Sequence, residues 1–246
     1  MITVVIPYLH KLAKLSGGDE LKFAVRSWSK YFKDDFNIVI IGDKPEWYTG
    51  DHIACLPIRG MTFARAFDIA LKLELATLSP LITEDFIYTY DDVYLIDDCT
   101  VKDFEVIRAL EIMPKGYNLP KASMTWQRLL EATVKKLPEP SWNYETHLPR
   151  IFKKDWLARI LKTYQLRRNA MLVSTLYYNE FYDKPDMVLM EKNDFKAGIY
   201  ERANSATINK AIKGKKVLNH FEAAYNDSMK RFLNERFNEK SIKFEK

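Results

Sequence analysis

The chain has 246 residues and a net charge of +5, with 47% hydrophobic and 29% charged residues, which fits a globular protein and excludes a disordered or fibrous one. No apolar run approaches the roughly 20 residues that a membrane helix needs. The two cysteines, Cys55 and Cys99, are too few for a disulfide framework and too isolated for a zinc site.

The first half alternates strands and helices. Ile2 to Ile6 predicts a strand that ends at Pro7-Tyr8; it carries no basic leader, so an intracellular, cytoplasmic and reduced protein is the expectation. A Ser16-Gly17-Gly18 turn follows. From Asp19, a suitable N-cap, Leu21, Ala24, Val25, Trp28, Tyr31 and Phe32 recur at helical spacing. Asn37 to Ile41 predicts a strand closed by Gly42-Asp43-Lys44-Pro45, and Ile53 to Leu56 a short one. Thr62 to Leu78 predicts a helix with Phe63, Ala66, Phe67, Ala70, Leu73 and Leu75 inward. Phe86 to Tyr90 predicts a strand that stops at two adjacent carboxylates, Asp91 and Asp92. Short apolar strands separated by helices imply a mostly parallel sheet with right-handed crossovers. Such sheets bind ligands at the carboxyl ends of their strands, the edge where Pro7, Tyr8, Asp43 and Asp91-Asp92 fall.

The second half reads differently. Pro114, Pro120, Pro138, Pro140 and Pro149 interrupt it, and amphipathic helices are predicted near Thr125–Lys136, Asp155–Thr163 and Ala223–Phe237. The expectation is one α/β domain over residues 1–246 with a helical C-terminal cap and a functional division near residue 115. Charge follows that division. Residues 1–115 hold 13 Lys and Arg against 18 Asp and Glu, and residues 116–246 hold 25 against 15. A basic second half suggests an anionic partner or a lysine-rich solvated surface.

A strand ending in Asp-Asp is either a turn or a place for a hard divalent cation, since Mg²⁺ and Mn²⁺ favour carboxylate and phosphate oxygens together. Arg65 and Lys72 share one face of the helix from Thr62, and Arg65, nearer its N-terminus, is the better placed to meet phosphate. Tyr8 brings a ring to the ligand-binding edge, and Asp43 in its Gly-Asp-Lys-Pro turn is either a hydrogen-bond acceptor for a ligand there or a turn residue. His147 and Glu145, flanked by Trp142, Tyr144 and Arg150, are candidate bases for an acceptor hydroxyl. His10 and His52 fall in predicted loops without partners.

The order Leu21-Lys22-Phe23-Ala24-Val25-Arg26-Ser27, then Ile38 to Trp47 through Gly42-Asp43-Lys44-Pro45-Glu46, then Asp91-Asp92-Val93-Tyr94-Leu95 resembles one block of the Stealth family of sugar-phosphate transferases. Glu145-Thr146-His147-Leu148-Pro149-Arg150 is similar to its His-x-Pro element. Lys215 to His220, Arg236 to Ser241 and Phe244-Glu245 resemble its closing stretch. Tyr90 stands where the family usually has Asn, and Asn219-His220 where it has Asn-Asp. The resemblance implies a GT-A-like fold, a metal held by Asp91 and Asp92, and a nucleotide-sugar donor. It also implies His220 as a third ligand, because a C-terminal His often completes the metal set in GT-A glycosyltransferases.

The expected activity is metal-dependent transfer of a sugar from a nucleoside-diphosphate sugar, UDP-linked first, with Mn²⁺ or Mg²⁺, to a hydroxyl acceptor. The acceptor expectation is a glycan, which suits the 13% aromatic content, or a polyanion such as DNA with a hydroxylated base, which suits the charge. Sugar-1-phosphate transfer and a non-catalytic nucleic-acid or glycan binder on the same scaffold are the alternatives. Inversion or retention, and the oligomeric state, stay open at this point.

Overall fold

The computed structural model describes residues 1–9, 19–117, 124–182, 187–190 and 195–246. In chain order its elements are β1 (Ile2–Tyr8), α1 (Asp19–Tyr31), β2 (Phe36–Gly42), β3 (Asp51–Ala54), α2 (Ala64–Leu78), β4 (Asp85–Tyr88) and β5 (Val93–Leu95). There follow α3 (Val101–Glu105), β6 (Ile107–Ala109), β7 (Glu111–Ile112), α4 (Thr125–Val134), β8 (Trp142–Asn143), β9 (Arg150–Lys153), α5 (Lys154–Thr163) and α6 (Val173–Phe181). β10 (Met187–Leu189), β11 (Lys196–Ile199), α7 (Ser205–Ile212), β12 (Val217–His220) and α8 (Asp227–Arg236) complete the order. The predicted Ser16-Gly17-Gly18 turn, His10 and Pro120 lie outside the described residues.

The main sheet runs β3-β2-β1-β4-β9, its first four strands parallel and β9 antiparallel to β4. Alternation along β1 decides how the layers pack. Val4, Ile6 and Tyr8 face α1, meeting Leu21, Val25 and Trp28. Val5 faces the other way, with Val39 and Ile41, onto Ala70 and Leu73 of α2 and the buried side of α5 and α6. Both faces are covered, which is why these strands are nearly continuous in apolar residues.

A second sheet, β11-β12-β5, lies beyond α1. Its Tyr94, Leu218, Ala197 and Ile199 pack with Phe23 and Ala24 of α1 and with Met229, Leu233 and Phe237 around α8. Helix α1 is thus buried on two sides. The second half contains the expected helices, but strands run among them, and β9 and β12 tie it to β4 and β5. No described helix is long and apolar enough to cross a membrane.

Element ends moved for local reasons. α2 starts at Ala64 instead of Thr62, because Phe63 takes a left-handed φ of 61°. β3 stops before Leu56, which is 88% exposed. α8 begins after Asn226, whose side chain accepts from the Met229 amide, and not at Ala223.

Gly42 closes β2 at φ 131°, directly beside Tyr8, and a Cβ there would sit 2.0 Å from the Tyr8 carbonyl oxygen. Backbone cannot step aside as a side-chain tip can. Gly42→Ala is expected to cost about 2 kcal/mol or more. A denaturant titration showing a cost below about 0.5 kcal/mol would contradict the strain argument.

Candidate functional site

The carboxyl edge of the main sheet gathers the charged groups. After β4 the chain turns through Asp91 and Asp92 into β5, and the turn closes with the Val93 amide donating to the Tyr90 carbonyl. The antiparallel register of β4 with β9 pairs Tyr88 with Arg150, so the residues just before β9 run alongside those just after β4. That register carries His147 to the aspartates. Its Nε2–H donates to Asp92 Oδ1 at 3.1 Å, and its ring stacks on Tyr90, with centroids 4.2 Å apart and planes 17° apart.

His147 reaches this place in the left-handed region, at φ 53°. Three contacts hold its loop. Arg150, buried, donates from Nη1 to the Tyr144 carbonyl and from Nε to the Leu148 carbonyl. Lys196 Nζ donates to the Thr146 carbonyl at 2.7 Å. Glu145 Oε1 accepts from both the amide and the hydroxyl of Thr175, in the first turn of α6. Glu145, expected as a base, is engaged in capping a helix.

The electrostatics set the two aspartates apart. Burial, the neighbouring Asp92 charge and Glu20 push the Asp91 carboxyl well above the ordinary carboxylate range. Burial pushes Asp92 the same way, but His147, by charge and hydrogen bond, and then His220 bring it below that range. Lys196 is drawn down to about 8 by burial and by Arg150, against the pull of Asp92. Lys196 was not among the candidates from sequence; a lone lysine within the apolar stretch Phe195-Lys196-Ala197-Gly198-Ile199 was the available signal.

His220 is placed differently from expectation. It is buried, and its Nδ1–H donates to the Phe221 carbonyl at 3.1 Å, so its Nε2 accepts from the Tyr94 hydroxyl at 3.0 Å. Burial lowers its pKa, against the Phe221 hydrogen bond and the Asp92 charge, which favours the neutral ring. With both nitrogens engaged it has no lone pair for a cation in this arrangement. Among the described residues, no three His, Cys, Asp or Glu side chains converge as a ready metal set. The imidazole that meets Asp92 is His147.

The remaining expectations divide. Tyr8 follows Val4 and Ile6 on the α1 face, so its ring is 1% exposed and not open for a base to stack on. Burial, then Asp91, Asp43 and Glu20, raise its hydroxyl pKa, which places those carboxylates around it. Pro7 is half-buried within β1. Asp43 is half-buried just past Gly42, its amide donating to the Tyr8 carbonyl. Arg65 is exposed; the buried cation is Lys72, which donates to the same Tyr8 carbonyl at 3.2 Å and pairs with Asp68 at 2.7 Å. Lys72 lies in the middle of α2, so a mid-helix residue and not a first-turn one meets the edge. His52, expected to lack a partner, lies in β3 and hydrogen-bonds the Gly42 carbonyl at 2.8 Å.

No family model matches the chain, and no curated protein matches it in sequence. Among solved structures it is similar to WbbM, a bifunctional glycosyltransferase in its apo form, with a TM-score of 0.56 and 9% identity. The match covers 98% of this chain and 50% of that one, so the chain spans half the length of that protein. What the two share is the fold, a mixed α/β architecture of GT-A-like type with a parallel-rich sheet flanked by helices. The likeness does not single out the Stealth family.

Proposed function

We propose that this chain is a metal-dependent glycosyltransferase that moves a sugar from a nucleoside-diphosphate sugar to a hydroxyl of a glycan. The observation that carries the reading is the Asp91-Asp92 pair at the carboxyl edge of a GT-A-like sheet, with an imidazole from the second half fixed on Asp92. The donor set fits a hard divalent cation. Burial, and after it the adjacent Asp92 charge, pushes Asp91 toward its protonated form, and Mn²⁺ or Mg²⁺ would offset both the lost hydration and the repulsion. Asp91 and Asp92 would hold it, and its other ligands would be phosphate oxygens and water. Once bound, the cation supplies charge neutralisation for a departing diphosphate.

The chain's own residues do the rest. Lys72, at the Tyr8 carbonyl, brings positive charge to the diphosphate side, and Lys196 sets the His147 loop through the Thr146 carbonyl. Asp43 accepts a hydrogen bond from the nucleoside. His147, with Nε2–H committed to Asp92, keeps Nδ1 for the proton of an attacking hydroxyl, an arrangement in which the carboxylate fixes the tautomer. Residues 1–115 then form the nucleotide side, and 116–246 the acceptor side together with the candidate base.

The test is calorimetric titration of UDP and other nucleoside diphosphates with Mn²⁺ and with chelator, followed by product analysis. Binding that needs the metal, with a nucleoside diphosphate as by-product, supports sugar transfer. A nucleoside monophosphate and a product heavier by one phosphate would replace it with sugar-1-phosphate transfer. No nucleotide binding under either condition removes the reading.

Lys196 has its own expected outcome. Lys196→Met frees the Thr146 carbonyl that sets the His147 loop, so turnover should fall about tenfold or more while metal-dependent nucleotide binding holds within a few-fold. Lys196→Arg, which keeps a donor, should recover part of it. Equal loss of binding and turnover would show that Lys196 acts on phosphate and not on the loop.

A further inference from the structure

Two large aromatic residues stand exposed at the same sheet edge as the aspartates. Tyr200 and Phe221 are each 53% exposed, their ring centroids 4.8 Å apart and their planes at 75°. Strand register locates them. Val93 pairs with Asn219 in antiparallel register, so the chain enters β5 from Asp92 at the end where β12 leaves through His220 and Phe221. Ile199 pairs with His220, and the Phe221 amide donates to the Ile199 carbonyl, which sets Tyr200 beside Phe221. With strands about 4.8 Å apart, Phe221 stands roughly 5 Å and Tyr200 roughly 10 Å across the sheet edge from the aspartate turn.

Face matters as much as edge. Lys196, Gly198 and Tyr200 alternate onto one face of β11. That is the face from which Lys196 reaches the Thr146 carbonyl, next to His147. The Tyr200 ring lies back over Gly198, where a Cβ would stand 2.5 Å from its hydroxyl oxygen. The next residues, Glu201 and Glu222, are both exposed, against one exposed cation, Arg202.

We propose that Tyr200 and Phe221 form a stacking platform for a neutral saccharide ring, so that the acceptor is a neutral glycan lying over the ends of β11 and β12. A sugar ring offers an apolar C–H face to an aromatic ring while its hydroxyls reach outward. Glu201 and Glu222 accept hydrogen bonds from hydroxyls and repel phosphate or uronate groups. The basic balance of the second half therefore does not describe this patch. Identifying the bound ring as the acceptor rests on the transfer reading above; the stacking site does not.

The experiment titrates neutral oligosaccharides of several hexoses, with a polyuronate and single-stranded DNA beside them, into the wild type, Tyr200→Ala, Phe221→Ala and Gly198→Ala. Binding is read by ligand-observed NMR. UDP with Mn²⁺ is titrated into the same proteins. The expected result is binding of a neutral oligosaccharide that weakens about tenfold in each of Tyr200→Ala and Phe221→Ala. Gly198→Ala, which pushes the Tyr200 ring off its seat, should weaken it too, and Tyr200→Phe should keep most of it. Nucleotide binding should be unchanged throughout.

Saccharide binding indifferent to both rings overturns the platform, as does stronger ring-dependent binding of the polyuronate or DNA. A wild type that sediments as a dimer, made monomeric by Tyr200→Ala with no change in saccharide binding, assigns the pair to an interface between copies and also overturns it. If no nucleotide binds while the neutral saccharide still depends on Tyr200, the platform stands and the transfer reading falls.

Discussion

Asp92→Asn is expected to abolish metal-dependent binding of a nucleoside diphosphate and to lower sugar transfer by about a thousandfold. The substitution keeps the size of the side chain and an oxygen that can accept the His147 Nε2–H, so the loop on Tyr90 should stay in place. What it removes is the one carboxylate of the pair that is ionised below its ordinary range. Asp91→Asn should cost less in the free protein, because burial and repulsion already hold Asp91 toward its neutral form. His147→Ala separates the roles of its two partners. Nucleotide binding should persist while turnover falls, because the role proposed for the imidazole is to take the acceptor proton and not to hold phosphate. Calorimetry on the three variants, with Mn²⁺ and with chelator, decides the matter. Wild-type affinity in Asp92→Asn would return the aspartate pair to an ordinary turn.

The first half of the fold was legible because its signals are local. β1, β2, β4, α1 and α2 each carry their own periodicity, and Asp91-Asp92 ends an apolar run that no other part of the chain needs to explain. The second half was legible only in part. β12 is four residues, Val217-Leu218-Asn219-His220, and becomes a strand only because β5 and β11 flank it. The same holds for the site. Both His147 and Asp92 stood out in the sequence, yet nothing local says that they meet across 55 positions. The meeting follows from β9 pairing antiparallel with β4, a contact that tertiary packing decides. His220 shows a second limit of local reading: its type suits a metal, while in the fold its neighbours Tyr94 and Phe221 engage both nitrogens.

The closing stretch has a role that its resemblance did not indicate. Arg26 of α1 forms a two-pronged pair with Glu245, Nε to Oε1 and Nη2 to Oε2 at 2.8 Å each, and donates from Nη1 to the Phe237 carbonyl. The Ser241 amide donates to Glu245 Oε1 at 2.9 Å, and the Ser29 and Ser241 hydroxyls meet at 2.6 Å. The Glu245 side chain is 1% exposed and that of Arg26 11%. These contacts clamp the tail to the helix that carries Glu20 toward the aspartates and packs against both sheets.

Breaking a buried pair from one side leaves the other charge uncompensated, which costs about 3 kcal/mol or more. Glu245→Ala should therefore lower the melting temperature by about 6–12 °C for a chain of this size. Burial alone would raise the Glu245 pKa, but the Arg26 hydrogen bond and charge and the Ser241 amide bring it below the ordinary 4.5. A carboxylate lowered in the folded state contributes stability that is complete above its unfolded pKa and is lost as pH falls through the folded one. The wild type should thus lose stability below about pH 4.5, and Glu245→Gln should show a shallower loss over the same window. Parallel acid profiles for the two proteins would mean that the ion pair contributes nothing, and that the tail is held by its other hydrogen bonds and by Phe237 and Phe244 packing.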